Sequence, residues 1–188
     1  QLGVEEIYPV HRLDKMTSGL VILALNKPSA QAFQQLFETR QVEKYYLAIT
    51  MHKPKKKQGW VKGDMTPARR GSWRLSKTLK NPAITQFISQ NTRPGERWLL
   101  LKPYTGKTHQ LRVALKSLGA PIAGDGRYEL SADAKLEDRG YLHAFALRFQ
   151  FHNESYKFCV PPQQGNRFET VEGQTLLEQW QLPWTAFK

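Results

Sequence analysis

Apolar positions along this chain fall into runs whose period switches between that of a strand and that of a helix. Val21-Ile22-Leu23-Ala24-Leu25 is a continuous apolar run ended by Asn26-Lys27-Pro28, and it predicts a buried strand entered through a polar turn that holds Asp14. Ala30, Phe33, Leu36 and Phe37 then recur at the spacing of one helical face. They predict a helix with Ser29 as its N-cap that ends near Arg40. Glu43 to Thr50 carries the aromatic and aliphatic content of a second strand. Ala83 to Ile88, a turn at Arg93-Pro94-Gly95-Glu96, and Arg97 to Lys102 read as an antiparallel hairpin. Leu111, Ala114, Leu115 and Leu118 form an i, i+3, i+4, i+7 stripe closed by Gly119, which predicts a further helix. Two strands follow, Tyr141 to Phe149 and Tyr156 to Val160, the second stopped by Pro161-Pro162. A short helix at Thr175 to Trp180 ends the pattern. These elements describe a mixed domain of strands and helices.

The 188 residues, 40% of them hydrophobic, suffice for one domain with its own core. A formal net charge of +12 changes the picture, because it calls for an anionic partner such as nucleic acid or an anionic membrane surface. No apolar stretch approaches membrane-spanning length, which leaves a soluble RNA binder as the expectation. The single Cys159 excludes an intramolecular disulfide and a cysteine-rich zinc site, and it suits a cytoplasmic setting. The five histidines, at 11, 52, 109, 143 and 152, show no paired metal-ligand spacing. No metal and no cofactor is expected.

Three stretches carry candidate chemistry. The first is His11-Arg12-Leu13-Asp14-Lys15-Met16-Thr17-Ser18-Gly19, where Asp14 and Ser18 would ordinarily be read as turn residues bonding their own backbone. The second is Lys44-Tyr45-Tyr46-Leu47-Ala48. Neighbouring strand residues point to opposite faces, so only one of the two tyrosines can share a face with a site. The third is Thr105-Gly106-Lys107-Thr108-His109-Gln110-Leu111-Arg112. Its Gly-Lys-Thr suggests a phosphate loop, but that pattern needs a glycine where Leu101 stands, so the nucleotide-hydrolase reading fails. Arg112 lies just off the apolar stripe. A basic loop, Lys53-Pro54-Lys55-Lys56-Lys57, reads equally as solvated surface and as a place to neutralise phosphates. Trp60 and Trp73 stand among basic residues, where aromatics can stack on splayed bases.

Taken together, His-Arg-Leu-Asp followed by Thr-Ser-Gly, the Lys-x-Tyr-x-Ala strand, Thr-Gly-Lys-Thr-His-Gln-Leu-Arg, the Gly124-Asp125 turn and Leu142-His143-Ala144 resemble, in order, the motifs of the RluA-type RNA pseudouridine synthases. The resemblance implies an α+β fold with a mixed, mainly antiparallel central sheet flanked by helices, as one catalytic domain over residues 1–188 without an S4-like domain. It makes Asp14 the catalytic aspartate and Tyr46 the active-site tyrosine. Arg112 becomes the arginine that pairs with Asp14, where a bidentate guanidinium would hold the carboxylate ionised. Leu142 would line the uracil pocket, and Arg12 would occupy the space a flipped uridine leaves. Lys55, Lys56 and Lys57 would bind RNA phosphates. The implied reaction needs no nucleotide cofactor or metal, and the implied partner is tRNA or ribosomal RNA, with a monomer as the default. Relatives carry an Asn-Lys-Pro-Ser-Gly-like turn before the first motif, so the chain is expected to lack an N-terminal segment. Two other readings stay open: a catalytically silent RNA-binding module of the same fold, and a glycosidase. The latter lacks a paired acid near Asp14.

Overall fold

The structure, a computed structural model, describes residues 6–187. Its strands and helices in chain order are β1 (Tyr8–Pro9), β2 (Thr17–Gly19), β3 (Leu23–Ala24), α1 (Lys27–Glu38), β4 (Glu43–Thr50), β5 (Gln58–Gly63), β6 (Met65–Pro67), β7 (Trp73–Leu75), β8 (Ala83–Asn91), β9 (Arg97–Pro103), α2 (Gln110–Ser117), α3 (Ser131–Ala134), β10 (Leu142–Phe151), β11 (Glu154–Cys159) and α4 (Val171–Gln179). The main sheet runs β11-β10-β4-β9-β8-β5, all antiparallel, and β2 adds to β10 in parallel. This is the mixed, mainly antiparallel sheet with helices that the family resemblance implies. Among the described residues no helix is long and apolar enough to cross a membrane.

Trp98, Leu99, Leu100 and Leu101 are buried consecutively on β9, so both faces of the central sheet are covered. The α2 stripe of Leu111, Ala114, Leu115 and Leu118 joins them in the main core, as do Leu176, Leu177 and Trp180 of the C-terminal segment. A buried Glu96 fastens that segment, accepting from Arg93 (2.7 Å), Arg167 (3.1 Å), Thr92 (2.9 Å) and the Trp98 indole (3.2 Å). Its four donors offset the cost of burying the carboxylate.

The segment after Asp14 departs from expectation. The strand that joins the sheet is the short polar β2, and the run from Val21 to Leu25 is not a buried strand, since Val21, Leu23 and Leu25 are exposed. Gly19 explains the break. It lies against the backbone of Ala144 at φ +107°, and a Cβ there would stand 2.2 Å from the Ala144 carbonyl oxygen. Only glycine fits this turn. After the Leu20 N–H, which still donates to the Ala144 carbonyl at 2.9 Å, the chain leaves the sheet and pairs with β1 through Tyr8↔Ala24 and Pro9↔Leu23. Leu20 and Ile22 point instead into a smaller core with Phe33, Leu36 and Phe37 of α1 and Leu147 and Phe149 of β10. The N-cap of α1 is Asn26 rather than Ser29. The Asn26 Oδ1 accepts the Ser29 N–H at 2.8 Å, and Pro28 sits in the first turn, where no amide donor is needed.

Candidate active site

Three strands bring the motif residues together. Asp14 closes a turn, its carbonyl accepting the Thr17 N–H at 2.8 Å, and that turn feeds β2. β2 lies beside the start of β10 with Thr17 opposite Leu142 and Ser18 opposite His143. On its other side β10 pairs with β4, placing Leu142 opposite Ala48 and Ala144 opposite Tyr46. Tyr46 and Leu142 thus stand diagonally across neighbouring strands, near the Asp14 turn. The hydroxyl of Ser18 donates to the His143 Nδ1 (2.8 Å), while the Nε2 of the same ring donates to the Val160 carbonyl (2.8 Å). Arg139 donates to the Ser18 oxygen at 2.6 Å. The first and last motifs are therefore stapled through one neutral imidazole.

A cleft of about 960 Å³ opens over this junction, lined by Asp14, Tyr46, Arg112, Leu142 and Arg12 among others. Arg12 is exposed on its border and Leu142 is buried in its wall. Tyr45 turns away into the core, as strand alternation requires. Burial, and then the negative charge of Asp14, push the Tyr46 phenol up to about 12, so it is neutral throughout the physiological range.

Arg112 is buried and reaches the cleft, but its two-pronged contact goes to Asp125, not to Asp14 as the sequence reading has it. Nε donates to Asp125 Oδ2 at 2.8 Å and Nη2 to Asp125 Oδ1 at 2.7 Å, leaving Nη1 to meet Asp14 Oδ2 at 3.3 Å. The geometry decides which acid holds the guanidinium. Asp125 is 0% exposed and also accepts the Arg127 N–H at 3.1 Å, so the fork is set by Asp125 and only then presented to Asp14. Gly124, at φ +76°, permits this placement, because a Cβ there would lie 1.9 Å from the Arg139 carbonyl oxygen. The Tyr128 ring covers the guanidinium at 5.0 Å, and its hydroxyl accepts the Trp73 N–H and meets the His109 Nδ1, each at 2.9 Å. Asp125, Tyr128 and His109 went unassigned in the sequence, where Gly-Asp-Gly reads as a turn; the sole signal was that they lie inside or next to motif stretches.

Gln110 holds the loop in front of α2. Its oxygen accepts from Thr105 (2.7 Å) and the Lys107 N–H (3.0 Å), while its amide nitrogen donates to Ile84 and Thr85 (3.0 Å each). His11 is likewise a support, its Nε2 accepting the Ile22 N–H at 2.9 Å with the ring against Phe37. Burial, helped by Lys44, lowers its pKa to about 4, and burial also lowers that of His143. Both rings are neutral when folded, whereas an unfolded histidine titrates near 6.5. The unfolded chain consequently binds more protons as pH falls below that value, and stability that is complete above pH 6.5 is lost on the way down. The urea midpoint should fall between pH 6.5 and 5, above the range where carboxylates contribute. His11→Asn, which keeps an acceptor for Ile22, should lessen that fall; an unaltered pH slope would contradict the neutral-His11 assignment.

Lys55, Lys56 and Lys57 do not line the cleft; they stand exposed on the β4–β5 loop, with Lys55 Nζ donating to the Ser117 carbonyl at 3.3 Å. Among the described residues no three His, Cys, Asp or Glu side chains gather as a metal site requires. What the cleft offers is a carboxylate steadied by a guanidinium, beside a neutral phenol and an apolar wall. That set can act on an electrophilic carbon while holding a flat ring.

A family model described as RNA pseudouridylate synthase matches residues 1–117. An uncharacterized RNA pseudouridine synthase of Haemophilus influenzae is 53% identical over 165 residues, spanning 88% of this chain and 73% of that one. Dual-specificity RNA pseudouridine synthase RluA of Salmonella typhi is 31% identical over 171 residues, spanning 84% and 76%. Among solved structures, human RNA pseudouridylate synthase domain containing 1 superposes with a TM-score of 0.75 at 26% identity, over 94% of this chain and 81% of that one.

Proposed function

The chain belongs to the RNA pseudouridine synthase family and is an isomerase acting on uridine in RNA; from that premise we propose that Asp14 performs the chemistry at the ribose, steadied by Arg112 from its anchor on Asp125. The observation that carries the proposal is the single guanidinium bridging the buried Asp125 and the cleft-facing Asp14. The reaction breaks the N1–C1′ bond of uridine, turns the detached uracil, joins C5 to C1′ and releases the C5 proton. Asp14 can meet positive charge at C1′ as attacking carboxylate or take a sugar proton as base. The detached uracil must stay in a pocket that keeps water from C1′. Tyr46 and Leu142 supply its walls. With its phenol neutral, Tyr46 packs against the base and offers a hydroxyl at the C5 proton.

Extracting a uridine from folded RNA costs about a few kcal/mol. Arg12, exposed at the cleft border, has the length and charge to enter the vacated stack. The substrate is a structured tRNA or ribosomal RNA, bound by a cytoplasmic monomer. The test is tritium release from RNA labelled at uridine C5, on separate tRNA and ribosomal-RNA pools: release into water identifies the substrate pool, and none from either would leave an RNA-binding module. Lys55, Lys56 and Lys57 lie outside the cleft, so in this reading they meet phosphates of flanking RNA. Replacing all three by Gln should reduce the slope of log K against log salt by about 2 to 3. An unchanged slope would make the loop plain surface.

A further inference from the structure

Beyond the uridine pocket, the same cleft runs out to the edge strand β5, where Trp60 is 45% exposed and Tyr104 37%. Tryptophan is on average a well-buried residue, and here two exposed aromatic rings stand together. The two rings lie 5.0 Å apart at 39°. The β5–β8–β9 register sets Trp60, Gln86 and Lys102 in a row across one face, and the Tyr104 hydroxyl donates to the Gln86 Oε1 at 2.9 Å. Ammonium groups flank the rings. Lys62 Nζ is 4.9 Å from the Trp60 ring and has no carboxylate within 4.0 Å among the described residues; Lys102 Nζ is 5.1 Å from the Tyr104 ring and 3.4 Å from Glu43.

We propose that Trp60 and Tyr104, with Lys62 and Lys102 beside them, form a stacking subsite for an unpaired base of the RNA strand near the reacting uridine. The proposal rests on the RNA-modifying reading of the cleft. Trp60 lies three strands from Tyr46 in the order β4-β9-β8-β5 and on the other face of the sheet, since Tyr46 shares its row with Leu101, Phe87 and Gly59. The cleft reaches it round the strand ends, and the lateral separation alone, at about 4.8 Å per strand, is roughly 14 Å. Stacked neighbours in a nucleic acid strand are only about 3.4 Å apart, so the base on Trp60 belongs to a different nucleotide from the one over Asp14. Exposed aromatic faces bind bases of any sequence, and the adjacent ammoniums suit the phosphates on either side. This second grip holds the strand while the uridine is out of the stack.

The test compares oligoadenylate with an abasic ribose-phosphate chain of equal length, which has the same charge but nothing to stack. Trp60→Ala should weaken oligoadenylate binding roughly tenfold and leave the abasic chain unaffected, whereas Trp60→Phe should bind both within about twofold of wild type. Lys62→Ala should weaken both. Equal losses of Trp60→Ala on the two chains, or none on either, would overturn the subsite. Wild-type tritium release is measured alongside. Its absence would tell against the reaction at Asp14 while the two binding series still decide the subsite.

Discussion

Asp14→Asn should form no measurable pseudouridine, with a rate loss on the order of 10⁴-fold, the upper end of what one acid/base group supplies and short of what losing a nucleophile can remove. The fold should survive the change. Arg112 keeps its two bonds to Asp125, at 2.7 and 2.8 Å, and the new amide oxygen can still accept from Nη1. No buried charge is stranded, and Asp14 is itself partly open to solvent, so the loss in stability should stay near that of a surface pair, about 1 kcal/mol or less. RNA affinity should change by no more than roughly fivefold, the effect of one charge at contact distance in water. Tritium release, RNA binding and a urea melt on the same preparation read all three quantities. Turnover by the variant within tenfold of wild type would remove Asp14 from the chemistry.

How much of this site was legible beforehand depends on the range of the interaction that creates each part. The strand at Glu43–Thr50 and the α2 stripe could be read because their apolar period is local and long. The choice of Tyr46 over Tyr45 drew on alternation plus a motif. Val21 to Leu25 misled because its fate is set by Gly19 meeting Ala144, a contact between distant segments. Asp125 was passed over for a similar reason. A carboxylate in a Gly-Asp-Gly turn acquires meaning only when α2 delivers Arg112 against it, and the preference of the guanidinium for Asp125 over Asp14 is a matter of bond geometry that no spacing encodes. Trp60 and Tyr104 likewise meet only through the pairing of three strands.

That preference makes Arg112 the residue whose loss should cost most in stability. Arg112→Met leaves Asp125 fully buried with the Arg127 N–H, at 3.1 Å, as the remaining partner of its side chain among the described residues, and stranding one half of a buried ion pair costs about 3–5 kcal/mol. Arg112→Lys should not rescue it. One ammonium cannot reach both oxygens of Asp125 and Asp14 as the planar fork does. Asp125→Leu strands the other charge, but less completely, because Asp14 can swing onto the guanidinium; the expected signature is a smaller stability loss with product formation still abolished, since a carboxylate tied into two bonds with Arg112 no longer faces C1′. In the double variant Arg112→Met/Asp125→Leu both charges are gone, and replacing a buried pair by apolar groups is often close to neutral. Its urea midpoint should recover well beyond the sum of the single losses, with a coupling of about 2–3 kcal/mol. Activity should not recover with it. Additive losses in the double variant would mean that Asp125 and Arg112 stabilise the fold independently, and the guanidinium would then have to be oriented toward Asp14 by something other than Asp125.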